Sequence, residues 1–266
     1  MATNTSIHEV VREHYAERIK NSASCCGPSD CCSPNNSLYP EQLLTTLPSD
    51  VTSTSYGCGD PITLASLQTG QTVLDLGSGA GLDCLLAAQK VGPNGSVIGV
   101  DMTPEMIERA QSNAKRVNTI NVEFRQGYLE ELPVANNTAD VIISNCVINL
   151  SPDKEKVFNE AFRVMKPGGK LAVSDIVTDG ELPEPIRKSL SAWAGCVAGA
   201  VDAKEYIGMM EAVGFTDISI KPVFFDKETV DAAIDNMKDV VELQTISRED
   251  VYKAVYSAKI TAFKPT

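Results

Sequence analysis

A chain of 266 residues with 43% hydrophobic residues is long enough to bury a sizeable core, so we expect a globular protein. Its net charge of −12 disfavours a nucleic-acid partner, because phosphate contacts need clustered lysines and arginines. No run reaches the roughly 18 apolar residues of a membrane-spanning helix, and the polar N-terminus shows no signal peptide. We therefore expect a cytoplasmic protein with no membrane partner.

The N-terminal part combines an amphipathic segment with a cysteine-rich loop. Residues 5–20 place apolar side chains on one helical face, which predicts a helix that caps the core. Residues 21–34 are rich in serine, glycine and proline and contain four of the eight cysteines. Residues 48–70 include many turn formers and predict irregular structure.

Residues 72–82 form a short apolar strand that runs into three glycines at alternate positions. Gly77, Gly79 and Gly81 let the backbone turn tightly and approach a ligand, and the next helix aims its first N–H groups at that ligand. A second strand ends in Asp101, twenty residues after Gly81, where a carboxylate accepts hydrogen bonds from ribose hydroxyls. Leu82 replaces the last glycine of a dinucleotide fingerprint, which disfavours a nicotinamide dehydrogenase.

Strands and helices alternate from residue 71 onward, which predicts a mostly parallel sheet with helices on both faces. The predicted strands are 72–76, 96–100, 121–126, 139–144 and 170–175, and the predicted helices are 81–91, 104–117 and 153–165. After an interruption at 178–201, a helix at 203–213 and strands at 216–221 and 256–263 resume the pattern.

Two cysteines follow predicted strands at the carboxyl edge of this sheet, where open parallel sheets bind ligands. Cys146 lies just past strand 139–144, and Cys196 lies in the interruption after the next strand, while Cys58 lies in a glycine-flanked turn before the core. Any one of them is more often a packing residue than a ligand, and we assign Cys84 to packing. Three thiolates together suit a soft trigonal centre such as trivalent arsenic, whereas structural zinc takes four ligands.

These motifs resemble those of known families. The glycine turn with Asp75 before it resembles motif I of the class I S-adenosylmethionine-dependent methyltransferases. The stretches Tyr-Gly-Cys-Gly at 56–59, Ser-Asn-Cys-Val-Ile-Asn-Leu-Ser-Pro-Asp-Lys at 144–154 and Cys-Val-Ala-Gly-Ala at 196–200 resemble the three cysteine motifs of the arsenite S-adenosylmethionine methyltransferases. The resemblance implies a class I Rossmann-like α/β fold, S-adenosylmethionine as cofactor, and methyl transfer to arsenite or its thiol conjugates in arsenic detoxification.

The resemblance also implies roles for individual residues. Cys58, Cys146 and Cys196 would bind arsenic(III), and one cysteine of the N-terminal cluster, for which we prefer Cys26, would be a further redox cysteine. The cofactor would be held by Asp75, Gly77, Gly79 and Gly81 at its methionine end, by Asp101, Met102, Tyr128 and Leu129 at its ribose and adenine, and by Asn145 beside its sulfonium. The expected units are a cap (1–70), a cofactor-binding core (71–178), and an arsenic-site insertion with a C-terminal subdomain that completes the sheet (179–266).

Thiolate-bound arsenic(III) has a lone pair and no proton to lose, so its methylation needs no general base. Both histidines, His8 and His14, fall on the N-terminal helix, and we expect no base at the carboxyl edge. Methyl transfer oxidises arsenic(III) to arsenic(V), so further turnover requires two electrons, which paired cysteines and a thioredoxin- or glutathione-type reductant supply by thiol exchange.

Two alternatives stay open. One is a methyltransferase of a small organic molecule such as a quinone, which shares the glycine turn but does not explain Cys58, Cys146 and Cys196 together. The other is a metalloid-binding protein without turnover, against which the intact glycine turn argues.

Overall fold

The computed structural model describes residues 4–20, 39–52, 57–182, 197, 199–235 and 247–266. In these ranges seven strands form one sheet in the order β3-β2-β1-β4-β5-β7-β6. The strands are β1 (Thr72–Leu76), β2 (Ser96–Asp101), β3 (Val122–Gln126), β4 (Ala139–Asn145), β5 (Met165–Thr178), β6 (Thr216–Phe224) and β7 (Val255–Phe263).

Helices precede, connect and follow these strands. They are α1 (Asn4–Lys20), α2 (Glu41–Leu44), α3 (Ser49–Thr52), α4 (Pro61–Ala65), α5 (Leu82–Val91), α6 (Pro104–Arg116), α7 (Lys154–Val164), α8 (Ala203–Val213), α9 (Lys227–Asp235) and α10 (Arg248–Ala254), with a 3₁₀ turn at Ile148–Leu150. No helix in the described ranges is long and apolar enough to cross a bilayer.

The sheet is mostly parallel, which confirms the predicted fold class. Strands β1 to β5 pair in parallel, and β7 runs antiparallel between β5 and β6. Alternate residues of β1 serve opposite faces: Val73 packs in the cluster of α5 and α6, and Leu74 packs in the cluster of α7 and α8. The carboxyl ends of β1, β2 and β4 therefore meet at one edge of the sheet.

The expectation of irregular structure over residues 48–70 is wrong in part, because α3 and α4 lie there. Helix α4 begins where Asp60 accepts a hydrogen bond from the Thr63 N–H at 2.9 Å, and Pro61 occupies the first helical position. An Asp-Pro pair is a helix start as well as a turn former, so the sequence held the signal.

Two strands are longer than predicted, whereas the other predicted elements within the described residues agree to within one residue. Strand β5 extends to Thr178 because each of its residues from Lys170 onward pairs with β7. Strand β6 continues through Pro222. It lies at the edge of the sheet that the described residues form, and an edge strand tolerates a proline because the N–H groups on its outer side do not pair with another strand.

A third apolar cluster covers the carboxyl edge. Val11 of α1, which is fully buried, packs there with Cys146, Leu150, Val230 of α9 and Val251 of α10. Helix α1 thus reaches the ligand-binding edge of the sheet and does more than cover a distant part of the core.

Candidate cofactor and thiol site

The glycine turn after β1 leaves open space at one position. Gly77 and Gly79 have φ values of +71° and +50°, which favour glycine. A Cβ on Gly77 would lie 2.3 Å from the Val147 side chain, so the backbones pack closely there. A Cβ on Gly79 would meet no heavy atom of the described residues within 4 Å, because Gly79 faces a cleft. The turn therefore has the shape of a cradle that a ligand fills.

Asp101 at the end of β2 links two backbone turns. Its Oδ2 accepts the Gly79 N–H at 2.9 Å, and its Oδ1 accepts the Thr103 N–H at 2.8 Å. Burial raises the pKa of Asp101 above its usual value, and the two N–H groups oppose that shift. Each carboxylate oxygen keeps further acceptor capacity, which suits a pair of ribose hydroxyls.

The cleft itself has a volume of about 690 Å³, including the part open to solvent. Its walls include eight residues expected from the sequence: Gly77, Gly79, Asp101, Met102, Tyr128, Leu129, Asn145 and Cys146. Gly127 and Glu130, which flank Tyr128 and Leu129 in the segment expected near the adenine, line the cleft as well. The structure adds residues that the sequence does not point to: His8, Val11, Tyr15, Thr103, Met106, Val147, Leu150 and Ser151. Apolar walls, a glycine cradle and one carboxylate at the ribose position fit S-adenosylmethionine.

The two described cysteines of the expected arsenic site are joined to each other. Cys58 and Cys146 form a disulfide across 88 residues of sequence. Cys146 follows β4 in a left-handed backbone conformation with φ +56°, and its N–H donates to the Ser174 carbonyl at 2.8 Å. The Cys58 N–H donates to Asn145 Oδ1 at 2.9 Å. The fold therefore places Cys146 in the wall of the cofactor cleft and bonds the Cys58 sulfur to it.

Other expected site residues lie elsewhere. The Asp75 side chain is behind the glycine turn, only 2% exposed, and accepts a hydrogen bond from the Cys84 Sγ at 3.2 Å. Burial raises the pKa values of both groups well above their usual ranges. Gly81 is the N-cap residue of α5 and does not line the cleft. Cys26 and Cys196 lie outside the described residues.

Helix α1 brings a histidine to the cleft. The His8 Nε2 lies 3.0 Å from Glu130 Oε1, the Ser151 hydroxyl also donates to Glu130, and the His8 ring centre is 5.0 Å from that of Tyr128. The expectation that no base lies at the carboxyl edge is therefore wrong. The amphipathic pattern predicted the helix but not the surface on which it packs, since only the tertiary fold shows that its apolar face covers this cleft.

Comparison with known proteins places these features in a family. A family model described as a methyltransferase domain matches residues 67–214. The arsenite methyltransferase of Halobacterium salinarum is 43% identical over 228 residues, which cover 80% of this chain and 58% of that protein. The arsenite methyltransferase of Homo sapiens is 36% identical over 223 residues, covering 80% of this chain and 59% of that protein. This chain thus spans about three-fifths of the length of these curated relatives.

The fold comparison agrees with the sequence comparison. The crystal structure of an arsenic(III) S-adenosylmethionine methyltransferase from Chlamydomonas reinhardtii is similar with a TM-score of 0.68 and 36% identity, covering 84% of this chain and 73% of that one. The family match over more than half of the chain and this similarity show that the chain belongs to the methyltransferase-domain family and, within it, to the arsenite S-adenosylmethionine methyltransferases.

Proposed function

We propose that this protein transfers a methyl group from S-adenosylmethionine to arsenic(III) held by cysteine thiolates. The observation that carries the proposal is that the Cys58 sulfur is bonded to the sulfur of Cys146, which lines the same cleft as Gly79 and Asp101. Thiolates are the ligands that soft thiophilic centres prefer. The names of the relatives support arsenite as the acceptor.

The residues of the cleft have separate tasks in this proposal. When bound, S-adenosylmethionine supplies an electrophilic methyl group on a sulfonium. Asp101 would hold its ribose, while Met102 and Leu129 would pack against its adenine. Val11 of α1 excludes water from the same space, which strengthens the electrostatic interactions inside it. The protein acts mainly by holding the methyl donor and the arsenic in one dry cleft.

The disulfide must be reduced before these cysteines can bind arsenic. A dithiol or two glutathione molecules would donate two electrons to the Cys58–Cys146 bond and release two thiols. Arsenious acid then condenses with Cys58, Cys146 and Cys196, and each thiol proton leaves with a hydroxide as water. Cys26 would be the further redox cysteine that acts with these three cysteines. A thioredoxin- or glutathione-type reductant of this kind is present in the cytoplasm, where we place the protein.

Methylation then changes the oxidation state of arsenic. The arsenic(III) lone pair would form the new bond to the methyl carbon, the electrons of the broken carbon–sulfur bond would remain on the sulfur, and the arsenic would become formally arsenic(V). Two electrons from the same class of thiol reductant return it to arsenic(III). This balance makes the reductant a stoichiometric partner of the reaction.

Methylation of arsenite by the purified protein tests the proposal. Incubation with labelled S-adenosylmethionine, arsenite and a thiol reductant should give methylated arsenic species. In the Cys146→Ser variant the rate of arsenic methylation should fall by a factor of about 100 or more, because a serine hydroxyl offers no thiolate. The variant should still bind the cofactor. The matched control is Cys84→Ser, which changes a buried cysteine outside the cleft and should remain active.

If the cofactor binds but no reductant supports arsenic methylation, the arsenic assignment is wrong. A screen of small organic acceptors, beginning with quinones, would then follow. Unchanged activity of Cys146→Ser would contradict the thiolate mechanism even if methylarsenic forms.

A further inference from the structure

The side chain of Asn145 holds the turn that carries Cys58. Its Oδ1 accepts the Cys58 N–H at 2.9 Å, and its Nδ2 donates to the Gly59 carbonyl at 2.9 Å. A Cβ on Gly57 would lie 2.1 Å from Asn145 Nδ2, so the backbone of the turn approaches this amide directly. Because Asn145 immediately precedes Cys146, this contact fixes one sulfur relative to the other.

Two further residues fix the orientation of that amide. Asn145 Nδ2 lies 2.9 Å from the Tyr39 hydroxyl and 3.3 Å from Asp83 Oδ2, and the Tyr39 hydroxyl donates to Asp83 Oδ1 at 2.8 Å. Asp83 is 9% exposed and Tyr39 is 4% exposed, so solvent offers little alternative to these bonds. A carboxylate accepts but does not donate, so Asp83 requires the NH₂ side of the Asn145 amide. The oxygen of the amide must then face the Cys58 N–H.

We propose that Asp83 is a positioning residue that, through Tyr39 and Asn145, holds the Cys58 turn against Cys146. The proposal deepens the proposed function, on which it rests for the role of the cysteine pair as an arsenic site. Asp83 itself touches neither sulfur and does not line the cleft. It acts by preventing the amide from turning over, which would place an N–H group against the Cys58 N–H.

The charge of Asp83 is part of this arrangement. Burial raises its pKa to about 6, Asp60 adds repulsion, and the donors on Tyr39 and Asn145 oppose the shift. Asp75 of β1 and the Cys84 thiol also face Asp83. As pH falls through about 6, the carboxyl takes up a proton and loses acceptor capacity. The hold on the Cys58 turn therefore weakens in acid.

The thiol–disulfide equilibrium of Cys58 and Cys146 measures this positioning directly. In glutathione redox buffers, the disulfide and two glutathione thiols exchange with the dithiol and glutathione disulfide, so the equilibrium gives the effective concentration of one thiol at the other. The full chain is equilibrated at several pH values and quenched by alkylation. Mass spectrometry of the Cys58 and Cys146 peptides then identifies this pair among the eight cysteines.

The Tyr39→Phe variant loses only a hydroxyl, and we expect its effective thiol concentration to fall by about tenfold at pH 7.5. The wild type should show a similar fall between pH 7.5 and 5.5, which the Asp83→Asn variant, lacking the titrating carboxyl, should not show. The control is Tyr252→Phe, which removes another tyrosine–aspartate bond, 2.5 Å to Asp231, outside the cleft.

Effective concentrations within twofold of the wild type in Tyr39→Phe would overturn the proposal, as would the same pH dependence in Asp83→Asn as in the wild type. A fall in melting temperature alone indicates a merely structural role and counts against positioning. The measurement uses neither arsenite nor S-adenosylmethionine. Its outcome is therefore independent of whether the proposed methylation succeeds.

Discussion

Gly70 and Gly79 both have a positive φ but differ in their surroundings. Their φ values are +87° and +50°, and a Cβ on either would meet no heavy atom of the described residues within 4 Å. An alanine at either position therefore introduces similar backbone strain, on the order of 1 kcal/mol. Gly79 faces the cleft, so we expect Gly79→Ala to weaken S-adenosylmethionine binding at least about tenfold. Gly70→Ala should bind within about twofold of the wild type.

Isothermal titration calorimetry with S-adenosylmethionine checks this pair, with thermal melts to compare stability. Binding by Gly79→Ala within about twofold of the wild type would contradict the placement of the methyl donor against Gly79. Equal losses of affinity would mean that backbone strain, and not occupied space, is what matters.

The sequence predicts that Gly77, Gly79 and Asp101 lie close together, because the backbone constrains their spacing after apolar strands. In the structure all three line the cleft. The sequence does not place His8 at the cleft, because His8 reaches it only through the tertiary packing of helix α1. Its contact with Glu130 joins positions 122 residues apart, and no local pattern encodes such a pair.

One face of helix α1 closes the cleft. Val11 is fully buried against Cys146 and Leu150, whereas Lys20 at the helix end forms an exposed ion pair with Glu105. An asparagine at position 11 would bury an amide in apolar surroundings and weaken the docking of the helix. We expect Val11→Asn to reduce cofactor affinity about tenfold, and Lys20→Ala to change it less than about twofold, because exposed ion pairs contribute little.

Equilibrium binding of S-adenosylmethionine to both variants is the measurement. Similar affinity in Val11→Asn and the wild type would show that α1 covers the edge without contributing to the cofactor site. A large effect of Lys20→Ala would place the contribution of the helix at its exposed end.

The sequence predicts those helices and strands whose hydrophobic pattern lies within the element itself. The apolar strands β1, β2 and β4 are buried on both faces and appear in the sequence as continuous runs. The sequence does not predict that β7 lies between β5 and β6, because the order of strands in a sheet depends on tertiary pairing and not on the pattern within a strand. Asp60-Pro61 favours a turn as well as a helix start, so this pair alone does not distinguish helix α4 from an irregular segment.

The whole molecule combines a net charge of −12 with several buried carboxyls. Burial raises the pKa of Asp175 to about 7, and it also raises the pKa values of Asp75, Asp83 and Asp101. A carboxyl with a raised pKa binds its proton more tightly in the folded state, so its contribution to stability is lost as pH rises through that value. We expect the melting temperature without ligand to be higher at pH 6 than at pH 8.5.

The Asp175→Asn variant isolates one of these groups. Asparagine keeps an oxygen that accepts from Asn149 Nδ2 and from the Ile176 N–H, but it does not ionise. Its free energy of unfolding relative to the wild type should increase by on the order of 2 kcal/mol between pH 5.5 and 8.5. Chemical denaturation at both pH values measures it. A difference that does not change with pH would mean that Asp175 is not ionising in this range.

Asn145 and Cys146 are consecutive residues that both line the cleft at the end of β4. Asn145 still pairs with Ser174 in the sheet, while the next residue has left it in a left-handed turn. A slip of one residue in β4 would exchange the faces of its side chains and displace the amide and the sulfur together. A mutation that caused such a slip would therefore move the Cys146 thiol and the wall of the cleft together. In the proposed reaction, the thiol that holds the acceptor and the wall that faces the methyl donor would then change position together.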